Sequence, residues 1–187
     1  MIPLSDRYTV VLDTCVLVPM PLCDTLLRLA EEPATYVPKW SDDILRELRS
    51  TLMKMGYAPA QAERRIASMS TAFEDAKVTG YEDLGPSLAN DPKDRHVLAA
   101  AVRCQAHAIV TGNVKHFPPE STAPHDVDVL TPDEFLVHQF YRDQDRVIEK
   151  TQDQARARRI RTEELLALLA KRVPGFARRV LDALRCR

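Results

Sequence analysis

Tyr8-Thr-Val-Val-Leu-Asp13 is an apolar, β-branched run closed by a carboxylate. Residues of that kind suit a pleated strand covered on both faces, and a run this short with no polar alternation reads as a buried strand. Further runs of the same kind follow. His107-Ala-Ile-Val-Thr111 is a second one, broken by Gly112. Thr35-Tyr-Val37, Lys77-Val-Thr79 and Val127-Asp-Val-Leu130 read as shorter strands. Between them the apolar spacing turns helical. Leu22 to Ala30 follows Pro19 and Pro21, and proline is tolerated in a first turn. Ser41 is an N-cap with Asp42 and Asp43 behind it, for a helix through Ile44, Leu45, Leu48, Leu52 and Met55 that stops at Gly56. Pro59 opens a helix to about Ala72, and Pro92 one to about Gln105; Gly80 to Asn90 reads as loop. Thr131-Pro132 with Glu134 forms a capping-box signal for another helix. Strands alternating with helices predict an α/β fold with a central parallel sheet and helices on both faces, three layers in all. The spacing leaves strand order open.

The carboxyl end of the chain has a different composition. Residues 1–140 carry 13 Lys/Arg against 20 Asp/Glu, a net −7, while residues 141–187 carry 13 against 7, a net +6. The expected division is a domain over 1–140 and a basic helical extension over 141–187. Its apolar patches are Leu165, Leu166, Leu168 and Leu169, then Phe176, Val180, Leu181 and Leu184, with Pro174-Gly175 between the two helices. Such a tail packs on the acidic body, grips nucleic acid or binds a partner. Hydrophobic residues at 45% and charged residues at 28% exclude a disordered chain. No apolar run reaches the ~18 residues of a membrane span, and Met1 to Val10 lacks a basic-then-apolar leader pattern. Cys15, Cys23, Cys104 and Cys186 show no C-x-x-C spacing. They read as reduced, mostly buried thiols, which points to the cytoplasm and away from structural zinc.

Four polar residues fall where such a fold builds sites. Asp13 ends the first strand and Asn113 follows the end of His107–Thr111; ligands bind outside the carboxyl ends of parallel strands. Glu47 shares a helix face with Ile44, Leu48 and Thr51, and Asp94 shares one with Val97, Leu98 and Ala101. A carboxylate beside a core is costly unless paired or bound to metal. Together these oxygens would suit Mg²⁺ or Mn²⁺. Each residue alone has a plainer reading: Asp13 as a turn cap, Glu47 as an exposed acid beside Arg46 or Lys54, Asp94 as a first-turn acid, Asp91 as an N-cap before Pro92, Asn113 as a turn residue. His96, His107, His116 and His125 are not spaced as a ligand set; they read as surface or loop residues, with a catalytic histidine as the alternative. Neither G-x-x-x-x-G-K-[ST] nor G-x-G-x-x-G occurs, so nucleotide cradles have no support.

In order along the chain, Val10-Val-Leu-Asp-Thr-Cys-Val-Leu17, Ser41-Asp-Asp-Ile-Leu-Arg-Glu-Leu48, Asp91-Pro-Lys-Asp-Arg-His-Val-Leu-Ala-Ala-Ala101 and Ile109-Val-Thr-Gly-Asn-Val-Lys-His-Phe-Pro118 resemble the four motifs of PIN-domain nucleases, in particular VapC-type toxins of bacterial toxin–antitoxin pairs. The resemblance covers about residues 8 to 137. It implies a metal-dependent endoribonuclease in which Asp13, Glu47 and Asp94 hold Mg²⁺ or Mn²⁺. Thr14, Thr111 and Asn113 would orient water or phosphate, and Lys93, Arg95 and Lys115 would hold the RNA backbone. It also implies a small antitoxin partner and a homodimer. Cys15 stands where many members carry Asn or Ser, and Asn113 where many carry a fourth acid, with Asp91 and Asn113 as further candidate ligands. A one-metal site is one consequence. The rival readings are a non-catalytic PIN-like RNA-binding module and a phosphohydrolase of the haloacid dehalogenase type, although the latter would need a second Asp where Cys15 stands.

Overall fold

The computed structural model describes residues 8–186. Five strands, β1 (Thr9–Leu12), β2 (Val37–Ser41), β3 (Lys77–Val78), β4 (Ala108–Val110) and β5 (Asp128–Leu130), form one sheet in the order β3-β2-β1-β4-β5. Every neighbouring pair is parallel. Val10, Val11 and Leu12, with Ala108, Ile109 and Val110, are fully buried, as strands covered on both faces require. The expected three-layer α/β/α architecture is the one observed.

The first connection contains a single turn, α1 (Thr14–Leu17), followed by α2 (Met20–Ala30). Then come α3 (Asp42–Lys54) and α4 (Pro59–Ala72) before β3, and α5 (Arg95–Arg103) before β4. A short α6 (Pro119–Thr122) precedes β5, and α7 (Pro132–Arg142) follows it. Ser41 caps α3, its hydroxyl accepting from Ile44 N at 3.2 Å. Thr131 and Glu134 close the capping box of α7. Helix α5 lies across β1, β2 and β4. Its Val97 to Ala101 are all buried, and three successive alanines, Ala99 to Ala101, let it sit close to the sheet.

Three local expectations shift. The second strand runs Val37–Ser41 rather than 35–37. Val37 N points to β1, donating to Tyr8 O, so the amide position of Pro38 points the other way. Strand β3 pairs only from Trp40 onward, so the proline removes no ladder bond. The Pro92 helix begins at Arg95 instead: Asp91 O accepts from Asp94 N and Asp91 Oδ1 from Lys93 N, a turn that delays the helix. Asp94 is thus the N-cap position and not a helix-face residue. Within 80–90, Glu82–Ser87 forms a 3-10 turn.

The carboxyl-terminal part holds three helices, α8 (Gln144–Ala157), α9 (Thr162–Leu169) and α10 (Pro174–Arg185). Pro174 and Gly175 open α10 rather than standing between helices. The break from α9 falls at residues 170–173. Val147, Ile148, Leu165, Leu166, Leu169, Phe176 and Val180 are buried in the same hydrophobic cluster as the sheet. Helix α8 packs on α2, α9 on α2 and α8, and α10 on α7. Gln154, fully buried, accepts from Thr25 Oγ1 and donates to Pro21 O, both at 2.8 Å. Lys150 pairs with Glu31 at 2.6 Å. The basic tail covers the acidic body. Among the described residues, no helix is long and apolar enough to cross a membrane. Residues 1–7 of the amino-terminal stretch lie outside the described residues.

Candidate active site

Strand order reverses at β1, which has β2 on one side and β4 on the other. Ligands of open parallel sheets bind outside the carboxyl ends at such a point. Asp13 follows β1 there, and Thr111 follows β4. A cavity of about 300 Å³ opens at this place, and Asp13, Thr14, Glu47, Asp94 and Asn113 all line it. Residues from four separate stretches of the chain therefore share one cavity.

Asp13 is buried and holds the N-cap position of α1. Its Oδ2 accepts from Thr111 Oγ1 at 2.6 Å and from Cys15 Sγ at 3.1 Å. Thr111 Oγ1 in turn accepts from Asn113 N at 3.0 Å, so one hydroxyl ties the two strand ends together. Gly112 N donates to Cys15 Sγ at 3.1 Å. Burial, and then the Asp13 charge, pushes the Cys15 thiol up to about 12. It is a neutral hydrogen-bond donor to Asp13 and not a nucleophile. The backbone of α1 is clamped from α4, where the Arg65 guanidinium donates to Leu17 O and Val18 O.

Glu47 reaches the cavity from α3. Thr14 Oγ1 lies 3.1 Å from Glu47 Oε2 and 3.1 Å from Ile44 O. Glu47 Oε1 meets His96 Nε2 at 3.0 Å; Arg46 pairs with Asp43 instead. Asp94 Oδ2 meets His116 Nδ1 at 2.5 Å. His96 and His116 are therefore partners of two of the three acids, contrary to their reading as unremarkable surface residues. No sequence spacing links positions so far apart; the only signal is that each lies inside a motif that also carries a site residue. His107 differs: its Nδ1 accepts from Thr9 N.

The remaining sequence candidates lie elsewhere. Asp91 is spent on its turn. Arg95 Nε donates to Asn90 O. Lys115 lines a different cavity, with Val114, Pro118 and Val129. Lys93 does not line the acid cavity. The cation in its lining, among the described residues, is Arg172, from the loop between α9 and α10. The four cysteines are free, and only Cys23 is buried; Cys15 and Cys104 are half-buried and Cys186 is exposed.

The donors are hard oxygens, the kind that suits Mg²⁺ or Mn²⁺. Asp13 Oδ1 and Asp94 Oδ1 have no hydrogen-bond partner among the described residues, although the opposite oxygen of each is held. Two oriented carboxylates thus each keep an oxygen in reserve, which fits a cation. Among the described residues, no three His, Cys, Asp or Glu side chains stand close enough together to hold a metal ion. The acids share a cavity without converging on one point.

Comparison with known proteins bears on the same residues. A Mycobacterium tuberculosis (strain ATCC 25618 / H37Rv) protein named "Putative ribonuclease VapC50" is 49% identical over 72 residues, 38% of this chain and 40% of that protein. The chain thus matches well under half of this relative's length. No solved structure matches. The family model described as PIN domain matches residues 9–115. That span takes in β1 through β4 and all the acids of the cavity, and it sets aside the haloacid dehalogenase reading. With more than half of its length matched, and its acids gathered at the sheet's reversal point, this chain belongs to the PIN domain family.

Proposed function

We propose that this protein is a metal-dependent endoribonuclease that hydrolyses phosphodiester bonds of RNA, the toxin of a toxin–antitoxin pair acting in the cytoplasm. The observation that carries the reading is the meeting of Asp13, Glu47, Asp94 and Asn113 in one cavity at the carboxyl ends of β1 and β4. Asp13, Glu47 and Asp94 would hold Mg²⁺ or Mn²⁺, with the Asn113 amide oxygen as a neutral fourth donor in place of an acid. Such a cation, when bound, lowers the pKa of an attacking water and neutralises charge on the scissile phosphate.

The protein's own groups do the positioning. Thr111 fixes one oxygen of Asp13 and leaves the other facing the cavity. Thr14 and His96 steady Glu47, and His116 steadies Asp94, as outer hydrogen-bond partners steady metal-binding carboxylates. The thiol of Cys15 adds a donor to Asp13 without adding charge. The name of the Mycobacterium tuberculosis relative supports the ribonuclease reading. A cognate antitoxin and a homodimer are further parts of the proposal. Lys93, Arg95 and Lys115 stay proposed as more distant contacts to the RNA backbone, outside the cavity.

A second reading is a non-catalytic RNA-binding module. Its specific support is that the acids do not converge, and that each already has a protein partner. Cleavage of labelled single-stranded RNA with Mg²⁺ or Mn²⁺ decides between them. Removing one carboxylate forfeits several kcal/mol of transition-state charge stabilisation. Asp13→Asn and Asp94→Asn are therefore expected to cut at most about a hundredth as fast. Undiminished cleavage by both variants overturns the assignment. RNA binding with no cleavage and no calorimetric Mg²⁺ or Mn²⁺ binding selects the second reading.

A further inference from the structure

Arg172 belongs to the carboxyl-terminal extension, yet it lines the cavity of Asp13, Glu47 and Asp94. It stands outside the residues matched by the family model, and among the described residues the body contributes no comparable cation to this lining. Its backbone is fixed. Arg172 N and Val173 N both donate to Leu169 O, at 2.9 and 2.8 Å. Val173, beside it, is fully buried. On the far side, Asp133 of α7 accepts from Gly175 N at 3.0 Å and Phe176 N at 2.8 Å, which pins the start of α10 to the body.

The side chain is exposed. Among the described residues, its guanidinium has no hydrogen bond or ion pair. An arginine sharing a small cavity with three carboxylates would ordinarily fork onto one of them. Here both oxygens of Glu47 and one oxygen each of Asp13 and Asp94 are held by neighbouring donors, and among the described residues the arginine pairs with none of the three acids. The result is an uncommitted fork of donors at the rim of an acid site. Its complement is an oxyanion with two acceptor oxygens arriving from outside, which describes a phosphodiester.

We propose that Arg172 binds a backbone phosphate of the RNA at the cleavage site, so that the extension completes the active site in cis. The inference rests on the ribonuclease reading above. A charge-assisted contact of this kind carries roughly 10- to 100-fold in affinity or rate. The cavity also shows why the extension's position matters: the acids repel a phosphate, and a fixed cation at the rim offsets that repulsion where the body offers none.

The test uses the full chain and its Arg172→Ala, Arg172→Lys and Lys171→Ala variants. Lys171 is the neighbouring exposed cation and does not line the cavity. The first readout is binding of a 2′-O-methyl single-stranded oligonucleotide in EDTA across a salt series. Arg172→Ala should lower the slope of log K against log salt by about 0.7, one phosphate contact on a single strand. Lys171→Ala should leave it nearly unchanged. The second readout is cleavage with Mg²⁺ or Mn²⁺, where Arg172→Ala should lose roughly 10- to 100-fold in kcat/KM and Arg172→Lys should recover part of it, since lysine keeps the charge without the fork. Wild-type slope and kcat/KM in Arg172→Ala, or an equal loss in Lys171→Ala, overturns the proposal. If the wild type cleaves nothing but Arg172→Ala still lowers the slope, the ribonuclease reading fails and the phosphate contact stands. If Asp13→Asn abolishes cleavage and Arg172→Ala does not lower it, the reverse holds.

Discussion

The hydroxyl of Thr111 does two jobs that a methyl group cannot. It donates to Asp13 Oδ2 at 2.6 Å and accepts from Asn113 N at 3.0 Å, in a fully buried position. Thr111→Val keeps the shape, leaves Asn113 N without its acceptor and leaves Asp13 Oδ2 with the Cys15 thiol as its donor. The expected outcome is about 1–3 kcal/mol of lost stability from the lost charge-assisted bond and the unpaired amide. Cleavage should fall roughly 10- to 100-fold, the usual cost of an outer partner to a metal-binding carboxylate. Thr111→Ser should restore most of the rate. Steady-state kinetics well below the melting temperature separate the two losses, and a wild-type rate in Thr111→Val refutes the positioning role. At this scale the sequence brought the acids, Thr14, Thr111 and Asn113 forward as candidates: Asp13 and Asn113 by their places at strand ends, Glu47 by its helix face, and Thr14 and Thr111 through the family's motifs, whereas Asp94 reads as a helix-face residue but holds the N-cap position of α5. It was silent on His96, His116 and Arg172. Their contacts cross from one element to another, and no local period or cap connects such positions.

Helix α10 begins without a capping side chain of its own: Val173 holds the N-cap position, and Pro174 supplies no amide hydrogen. The cap comes from another element, since Asp133 near the start of α7 accepts from the amides of Gly175 and Phe176. A negative charge there also suits the helix dipole. A Cβ at 175 would stand 2.7 Å from Asp133 Oδ2, so a larger residue there would push the carboxylate off the two amides. Asp133→Ala should therefore cost about 1 kcal/mol, the usual value of an N-cap. It should also speed hydrogen exchange at the amides of Gly175 and Phe176; unchanged exchange there removes the capping role. Element reading from sequence shows the same divide. Thr131, Pro132 and Glu134 announce α7 locally, and Ser41 with its two aspartates announces α3. Pro174-Gly175 reads as a break because the carboxylate that turns it into a helix start lies on α7. Strand β2 was misplaced for a related reason: Pro38 and Lys39 look unfit for a strand until the short reach of β3 is known.

Charge composition marks residues 141–187 as distinct, yet packing joins them to the rest. Eight large apolar side chains of α8, α9, α10 and the loop before α10, Val147, Ile148, Leu165, Leu166, Leu169, Val173, Phe176 and Val180, are at most 2% exposed. At ~1.5–3 kcal/mol for each fully buried side chain, their burial is of the order of the whole net stability of a domain, ~5–15 kcal/mol. Unfolding the extension alone would also uncover α2 and α7. The two parts should therefore unfold together. The single tryptophan gives a clean probe, because Trp40 lies in β2, 1% exposed, on the body side. Far-UV circular dichroism reports on the helices, including those of the extension. Urea transitions followed by the two signals should coincide. Gln154→Ala sharpens the point. It removes the two hydrogen bonds that tie Thr25 and Pro21 to α8, which then keep only each other, Thr25 Oγ1 donating to Pro21 O, and it opens space in the seam. A loss of about 1–3 kcal/mol is expected from the two lost bonds and the cavity together, and it should appear at Trp40 as fully as in the helical signal. A helical transition that precedes an unshifted Trp40 transition would mean that the extension folds apart from the sheet, and would remove the rigid seating that places Arg172 at the acid cavity.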